Sequence, residues 1–228
     1  MAKTKLDQFK GRLTTKEITA GINAAIRNAA RLYQDAVILL SEKRYPSAAS
    51  VAILSIEESG KVSILREMAL AKDDKAVIAC WQAYRSHTKK NVTWLLPQLA
   101  ARGARRLDDF APLFDTNSDH PFLLDQIKQI GFYTDCLGKT HWSIPDEVID
   151  QTLAKMLVEI AKIFAKHRET TIKEIELWIK HLGPVWMTNP GWMKKALTNW
   201  YAEMQQLGLA PEGENAMEEF IRHGVAKP

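Results

Sequence analysis

Glu57 and Lys61 place a carboxylate and an ammonium on one face of a predicted helix. At about 100° per residue, both fall in the middle of the apolar face formed by Ile53, Ile64 and Leu65. Their order and spacing allow them to pair, but charges taken out of water are costly unless they are paired and hydrogen-bonded. The two residues therefore either fix the register of helix packing or line a polar cavity, and the pattern leaves both interpretations open.

Further polar side chains lie beside the apolar faces of neighbouring predicted helices. His87 and Asn91 are one turn apart on one flank of the third helix, and Arg85 lies on its other flank. His167 falls at the centre of the apolar face of the fourth long helix, where a single histidine more often serves packing than chemistry. A bundle would direct several such groups into one interior with Glu57. The candidate residues of a binding or structural polar core are Asn28, Asp35, Glu58, Lys61, Lys90, Asn91 and His167.

The chemistry open to such a cluster is limited. A carboxylate, an ammonium and an imidazole can transfer protons or hold a phosphate group. A di-iron bundle needs more carboxylates or a Glu-x-x-His motif, which the sequence lacks. It also lacks the glycine-rich nucleotide motifs, the Gly-x-Ser-x-Gly elbow and the His-Glu-x-x-His zinc motif. We therefore predict no metal site and no cofactor.

The composition is typical of a globular protein, with 46% hydrophobic and 25% charged residues in a chain of 228. A net charge of +4 permits a nucleic-acid partner without requiring one. Cys80 and Cys136 have no Cys-x-x-Cys spacing, which argues against a zinc site. The N-terminus lacks a signal-peptide pattern, and no run reaches the ~18 apolar residues of a membrane span. These features predict a soluble, cytoplasmic protein with no membrane contact.

Almost every long segment has apolar residues at a period of about 3.6, which predicts an all-α fold. Thr14 and Glu17 have capping-box spacing at the start of the first helix, and Pro46 opens the second. The predicted helices span residues 14–40, 46–71, 73–96, 122–130, 145–182 and 189–208, with a candidate break at residues 169–171. Short connections favour an antiparallel up-down helical bundle with extra C-terminal helices.

Three parts of the chain differ in composition. Residues 1–13 form a basic N-terminal arm, residues 14–182 the helical bundle, and residues 183–228 a C-terminal helical extension packed on the bundle. The arm contains Lys3, Lys5, Lys10 and Arg12. In the extension, residues 192–201 mix aromatic and cationic side chains, which suits base stacking or a protein interface. The simpler interpretation is that Trp192, Leu197 and Trp200 cap the bundle.

Four segments of the chain resemble segments of a known protein family, and they occur in the same order. They are residues 28–36, residues 44–61 with the run Glu57-Glu58-Ser59-Gly60-Lys61, residues 87–90, and residues 127–145. The last is the most distinctive, because it reads Lys-x-x-Gly-x-Tyr-x-Asp from Lys128 and Trp-x-x-Pro up to Pro145. From about residue 20 to residue 164, the chain resembles the abortive-infection family AbiV.

The resemblance implies a HEPN-like helical bundle and a role in anti-phage defence by arrest of growth or translation. Many proteins of that superfamily are RNases that dimerise and pair an Arg-x4–6-His motif across the dimer. Here no arginine stands four to six residues before a histidine, and Arg85-Ser86-His87 has these residue types at another spacing. For a metal-independent RNase, the candidate catalytic residues are Arg85 as phosphate contact and His87 as acid–base group, with Glu57 in support.

Two classes of function remain open at this point. In the first, the chain is an abortive-infection effector that works as a homodimer through RNA binding or cleavage and is triggered by a phage protein. In the second, it is a non-catalytic helical module that recognises a phage or host protein. The sequence does not decide whether the chain is an enzyme.

Overall fold

The computed structural model describes residues 7–115 and 118–224. In these ranges the regular structure is helical apart from one small β-hairpin, which confirms the predicted all-α class. No helix in the described ranges combines the length and apolar content needed to cross a membrane. Lys3 and Lys5 of the predicted arm lie outside the described residues. The elements are α1 (Thr15–Ser41), α2 (Tyr45–Ala69), α3 (Asp74–Arg85), α4 (His87–Lys90), α5 (Leu96–Ala101), a 3-10 helix (Leu107–Phe114), α6 (His120–Phe132), β1 (Asp135–Leu137), β2 (His141–Ser143), α7 (Pro145–Val148), α8 (Gln151–Phe164), α9 (Ile172–Leu182), α10 (Pro190–Gln206) and α11 (Ala216–Arg222).

Small side chains let α1 and α2 pack closely along each other. The predicted capping box is confirmed, since Thr14 accepts a hydrogen bond from the Glu17 amide while the Glu17 carboxylate accepts one from the Thr14 amide. Ala29 and Ala49 are almost completely buried. The Ser55 hydroxyl donates to the Ala29 carbonyl at 2.7 Å, so a buried hydrogen bond ties α2 to the backbone of α1.

Helix α2 is the central element, because α1, α3, α6 and α8 all pack against it. Ile53 and Ile56 of α2 join Leu124 of α6 and Leu157 of α8 in one core cluster, and each is at most 2% exposed. The buried residues of α2 therefore surround the helix instead of forming one stripe. A polar residue on α2 consequently meets side chains of whichever helix covers it.

The third predicted helix, over residues 73–96, is wrong as one continuous element. It ends at Arg85, and Ser86 takes an extended conformation with φ −80° and ψ 132°. The Ser86 hydroxyl then accepts from the Lys89 amide at 3.4 Å and caps the short helix α4. The chain thus turns between Arg85 and His87, so that the two residues belong to different helices.

The helix predicted over residues 145–182 is also divided. Asp150 has an extended conformation and accepts from the Leu153 amide at 2.8 Å, so it caps α8 and separates it from α7. The candidate break at residues 169–171 is confirmed, because Thr171 and Glu174 form a second capping box that opens α9. The connection between α8 and α9 contains His167, which is exposed.

The C-terminal helices are held on α9 by an apolar cluster and by one carboxylate. Leu177 and Leu182 of α9 pack with Trp200 and Met204 of α10, and Leu70 extends the cluster from the end of α2. Polar contacts complete the interface, since Glu203 of α10 accepts from Lys180 at 2.6 Å and from His181 at 2.7 Å, both on α9.

Candidate functional site

The Glu57 carboxylate is the centre of a cluster of charged side chains. Glu57 is 2% exposed, although it is ionisable. Its Oε1 accepts from Lys128 Nζ at 2.6 Å, and its Oε2 lies 2.7 Å from His87 Nδ1 and 3.6 Å from Lys90 Nζ. A buried carboxylate persists only when it is paired and hydrogen-bonded, and residues from α4 and α6 meet that requirement here.

A glycine on α2 brings α4 to this carboxylate. The Lys90 carbonyl lies so close to Gly60 that a Cβ there would overlap it. The absence of a side chain at Gly60 therefore permits the close approach of the α4 backbone. Since Gly60 is three residues after Glu57, the same contact carries His87 and Lys90 to the carboxylate.

A second glycine brings α6 to the same stretch of α2. A Cβ on Gly131 would overlap the Ser50 hydroxyl and lie 3.1 Å from the Pro46 carbonyl. The Ser50 hydroxyl instead donates to the Lys128 carbonyl at 3.2 Å. One turn of α6 then presents Asp125 and Lys128 together, with Asp125 Oδ1 2.7 Å from Lys128 Nζ.

The position of His87 suits proton transfer. Its side chain is 53% exposed, whereas its Nδ1 points to the buried Glu57 carboxylate. Nδ1 lies 2.7 Å from the Glu57 carboxylate, which can only accept, and 3.1 Å from the Lys128 ammonium, which can only donate. The closer carboxylate favours the tautomer that carries its proton on Nδ1. Nε2 of that ring is then an unprotonated acceptor on the half-exposed side, as a general base requires.

Lys128 occupies the place of a cation between three groups that resemble metal ligands. Ligand atoms of Glu57, His87 and Asp125 lie within 4.8 Å of one another. The Lys128 ammonium is only 4% exposed and lies between them. Its distance is 2.6 Å to Glu57, 3.1 Å to His87 and 2.7 Å to Asp125. A divalent ion there would have to displace the ammonium, so the residues present are better suited to holding Lys128 than a metal.

Lys90 and Asn91 are buried beside this cluster. Burial lowers the pKa of Lys90, and the nearby Glu57 carboxylate opposes that change. Asn91 is 0% exposed, and neither amide atom of its side chain has a hydrogen-bond partner among the described residues. Both residues were predicted members of the polar core.

The predicted pairing of Glu57 with Lys61 is wrong. Lys61 pairs instead with Glu58, three residues before it, and its ammonium lies 4.9 Å from the centre of the Tyr84 ring. The reason is that Glu57 faces α6, where the buried ammonium of Lys128 lies 2.6 Å from its carboxylate. Glu58 and Lys61 form a separate pair with side chains that are each 17% exposed.

Arg85 and His87 contact different parts of the protein. Its guanidinium donates to the Phe9 carbonyl and stacks on Trp81, with 4.9 Å from its Cζ to the ring centre. The Trp81 indole donates to the Gly11 carbonyl at 2.9 Å. The structure thus uses Arg85 to hold residues 9–11 on α3, and it does not bring Arg85 into the cluster around Glu57.

Three other predicted polar-core residues also lie outside the cluster. Asp35 accepts from Arg31 at 2.8 Å, and Asn28 accepts from the same guanidinium at 2.9 Å, so they form a group on the half-exposed side of α1. His167 was expected in a core, but it follows the end of α8, and its Nδ1 contacts the Phe164 carbonyl. The common interior predicted for Asp35, Lys61 and His167 with Glu57 is therefore wrong.

Asp125 and Lys128 were not recognised as site residues from the sequence. Lys128 begins the Lys-x-x-Gly-x-Tyr-x-Asp segment, so a signal was present in the motif. On a helix, Asp125 and Lys128 are three residues apart, which is an ordinary surface-pair spacing. Only the packing of Gly131 against Ser50 turns this pair toward α2.

Comparison with known proteins agrees with the segments that the sequence singled out. A family model described as AbiV, of the HEPN type, matches residues 17–166, which is more than half of the chain. No curated protein and no solved structure matches the chain. The matched region extends from the first turn of α1 to just beyond α8 and includes Glu57, His87 and Lys128. The chain belongs to the AbiV family of HEPN-type abortive-infection proteins.

Proposed function

We propose that this protein arrests phage-infected cells by metal-independent cleavage of RNA in the cytoplasm, with His87 as the catalytic base. The observation that carries the proposal is the pairing of a half-exposed imidazole with a buried carboxylate, His87 Nδ1 to Glu57 Oε2 at 2.7 Å. Family membership supports a defence role, and the His87–Glu57 pair supports the chemistry.

The proposed reaction uses the ribose as its own nucleophile. His87 Nε2 takes the proton of a 2′-hydroxyl, the 2′-oxygen forms a bond to phosphorus, and the bond from phosphorus to the 5′-oxygen breaks. The products are a 2′,3′-cyclic phosphate and a 5′-hydroxyl, whose proton comes from water or from the imidazolium of a second copy. Glu57 holds the ring and stabilises the imidazolium, as the carboxylate of a catalytic triad does.

The surroundings of His87 offer a path for a single strand. A groove of about 630 Å³ between α6 and β1 includes Asp125 and Tyr133 in its lining. Tyr133 is 63% exposed, and an exposed aromatic ring is a stacking surface for a base. Asp125 connects the groove to His87, because it lines the groove and has a carboxylate oxygen within 4.8 Å of a ring nitrogen of His87.

The first prediction concerns His87 and Glu57. We expect His87→Ala to reduce cleavage of purified transfer and ribosomal RNA by about 10²- to 10⁴-fold, because the general base is lost. Glu57→Gln should reduce it too, since an amide does not stabilise the imidazolium. Cleavage is measured by gel electrophoresis and by end-group analysis for the cyclic phosphate.

His167→Ala is the matched control, because His167 is an exposed histidine outside the Glu57 cluster, and its Nδ1 contacts the Phe164 carbonyl. It should cleave RNA like the unchanged protein and protect bacteria against the same phages. Intact RNA in the presence of purified protein, under conditions in which cells expressing it are arrested, would overturn the proposed reaction.

A non-catalytic binding module is the second candidate function. Trp142 on β2 is 63% exposed, and Leu137 on β1 is 42% exposed, so the hairpin presents apolar surface of the kind found at protein interfaces. In that case Trp142→Ala should abolish phage protection while His87→Ala retains it. The opposite pattern in plaque counts favours the RNase.

A homodimer is part of the proposal, because a second imidazole would provide the acid for the leaving group. Light scattering coupled to gel filtration measures the mass directly. A monomer at concentrations where RNA is cleaved would require water to be the acid.

A further inference from the structure

A second groove lies on α2 away from the Glu57 carboxylate, between α2, the α4 segment and two tryptophans of the C-terminal part. Its volume is about 450 Å³, which is within the usual range for small-molecule sites. Its polar and aromatic lining includes Arg66, Glu67, Lys89, Trp178 and Trp186. The two tryptophans lie outside residues 17–166, so family membership does not explain the groove.

Arg66 brings an uncompensated positive charge to this groove. Burial lowers its pKa, yet a guanidinium stays charged at neutral pH. Within the described ranges, its side chain has neither an ion pair nor a hydrogen bond, and its Cζ lies 5.7 Å from the centre of the Trp178 ring. Attraction to Glu174 is opposed by Arg168, with which Glu174 is already paired, so the described carboxylates leave the charge of Arg66 without an ion-pair partner.

The other charged residues of the groove also favour a negatively charged ligand. Lys89 is exposed, and none of the ion pairs within the described residues involves its ammonium. Among the lining residues Glu67 is the one acid, and burial raises the pKa of its carboxyl group. The field in the groove is therefore positive and favours an anion.

Two indoles give the groove an aromatic wall. Trp178 is fixed in place, because its indole nitrogen donates to the Arg66 carbonyl at 3.2 Å. Trp186 is half-buried, and its ring centre lies 6.5 Å from that of Trp178 at an interplanar angle of 59°. Both indoles line the groove and neither is fully buried, so part of each remains accessible to a flat ring.

We propose that this groove binds a nucleoside phosphate, with its phosphate on Arg66 and Lys89 and its base against the indoles of Trp178 and Trp186. An arginine fork and an ammonium match phosphate oxygens, and indoles match a base. The groove is distinct from the RNA-cleaving site, because its lining does not include Glu57, His87 or Lys128. The inference does not depend on the proposed cleavage.

Calorimetric titration of the full chain with adenosine monophosphate tests the proposal, with adenosine and inorganic phosphate as separate probes. We expect the monophosphate to bind more tightly than either part. Arg66→Ala and Trp186→Ala should each weaken binding at least about tenfold, since each removes one of the two kinds of contact. Lys89→Ala should weaken it less, and because Lys89 is exposed this variant does not threaten folding.

Two controls separate this site from the rest of the molecule. Arg27→Ala removes an exposed arginine that pairs with Glu169, and it should bind like the unchanged protein. His87→Ala should also bind normally, so loss of cleavage and loss of this site are distinguishable. No heat of binding at millimolar monophosphate, equal binding of adenosine, or normal binding by both Arg66→Ala and Lys89→Ala overturns the proposal.

Discussion

Glu57 illustrates how a single buried carboxylate can organise side chains from separate elements. Its two oxygens are shared between Lys128 on one side and His87 with Lys90 on the other. The charge of the carboxylate is therefore compensated inside the protein, and the half-exposed imidazole becomes the only member of this set at the surface. Removing any one member leaves the others with an incomplete set of partners.

At the scale of single residues, we predict that Lys128 contributes strongly to the free energy of unfolding. Lys128→Met leaves Glu57 and Asp125 without their shared ammonium, and breaking a buried pair costs about 3–5 kcal/mol. The free energy of unfolding in urea measures the loss. The double change Glu57→Gln with Lys128→Met should lose less than the sum of the two single changes, because the charges of Glu57 and Lys128 are then removed together.

Lys162→Met is the control for that prediction. Lys162 pairs with Glu159 at 3.2 Å, and both side chains are about half exposed, so the pair is worth roughly 0–1 kcal/mol. If Lys128→Met cost no more than this control, the buried cluster would not be a determinant of stability.

At the scale of elements, two glycines and one serine decide which groups meet. Gly60 admits the backbone of α4, and Gly131 admits the Ser50 side chain beneath α6. Ser86 interrupts the helix between Arg85 and His87, so that α3 ends before it and α4 begins after it. Asn91 remains buried without a side-chain partner where α4 ends, within the part of the chain that the structure describes.

Gly60→Ala tests this arrangement. The added methyl would overlap the Lys90 carbonyl, so α4 must move away from α2 and carry His87 away from Glu57. We expect a loss of about 1–3 kcal/mol in unfolding free energy, together with loss of RNA cleavage. Urea unfolding and the RNA assay provide the two readings.

Gly21→Ala is the matched control on α1. Its methyl would meet only the end of the Leu65 side chain at 3.2 Å, and alanine is the better helix former, so stability should change little or rise. Equal effects of Gly60→Ala and Gly21→Ala would contradict the close-packing argument.

At the scale of the whole molecule, Arg168 and Glu174 connect the bundle to the C-terminal helices. Arg168 follows α8, pairs with Glu174 in the first turn of α9, and donates to the Leu209 carbonyl beyond α10 at 2.9 Å. Burial raises the pKa of Glu174, but hydrogen bonds from Arg168 and Thr171 outweigh it, and the net pKa is below the ordinary 4.5.

This lowered pKa predicts how stability depends on pH. Because the folded carboxyl binds its proton less readily than the unfolded one, its contribution is complete above the ordinary pKa of 4.5 and is lost as the pH falls through the folded pKa. Glu174→Gln should therefore be less stable near neutral pH, and its stability should fall less between about pH 5 and pH 3.

Urea unfolding at a series of pH values measures that slope. Glu159→Gln, which changes an exposed carboxylate, should retain the slope of the unchanged protein. A Glu174→Gln variant with the same slope would show that the contact between the two parts of the chain is not linked to protonation.

The sequence by itself determined the fold class, the start of α1, the Asn189 start of α10 and the family segments, because caps and apolar periodicity are local signals. It also predicted that Glu57 lies on a buried face of its helix, and this is confirmed. The partners of Glu57 were decided only by tertiary structure. Helices α4 and α6 both meet α2 at Glu57, and the choice of Lys128 over Lys61 depends on the packing of residues 71 positions apart in the chain. Periodicity along one helix contains no information about which neighbour covers each of its faces.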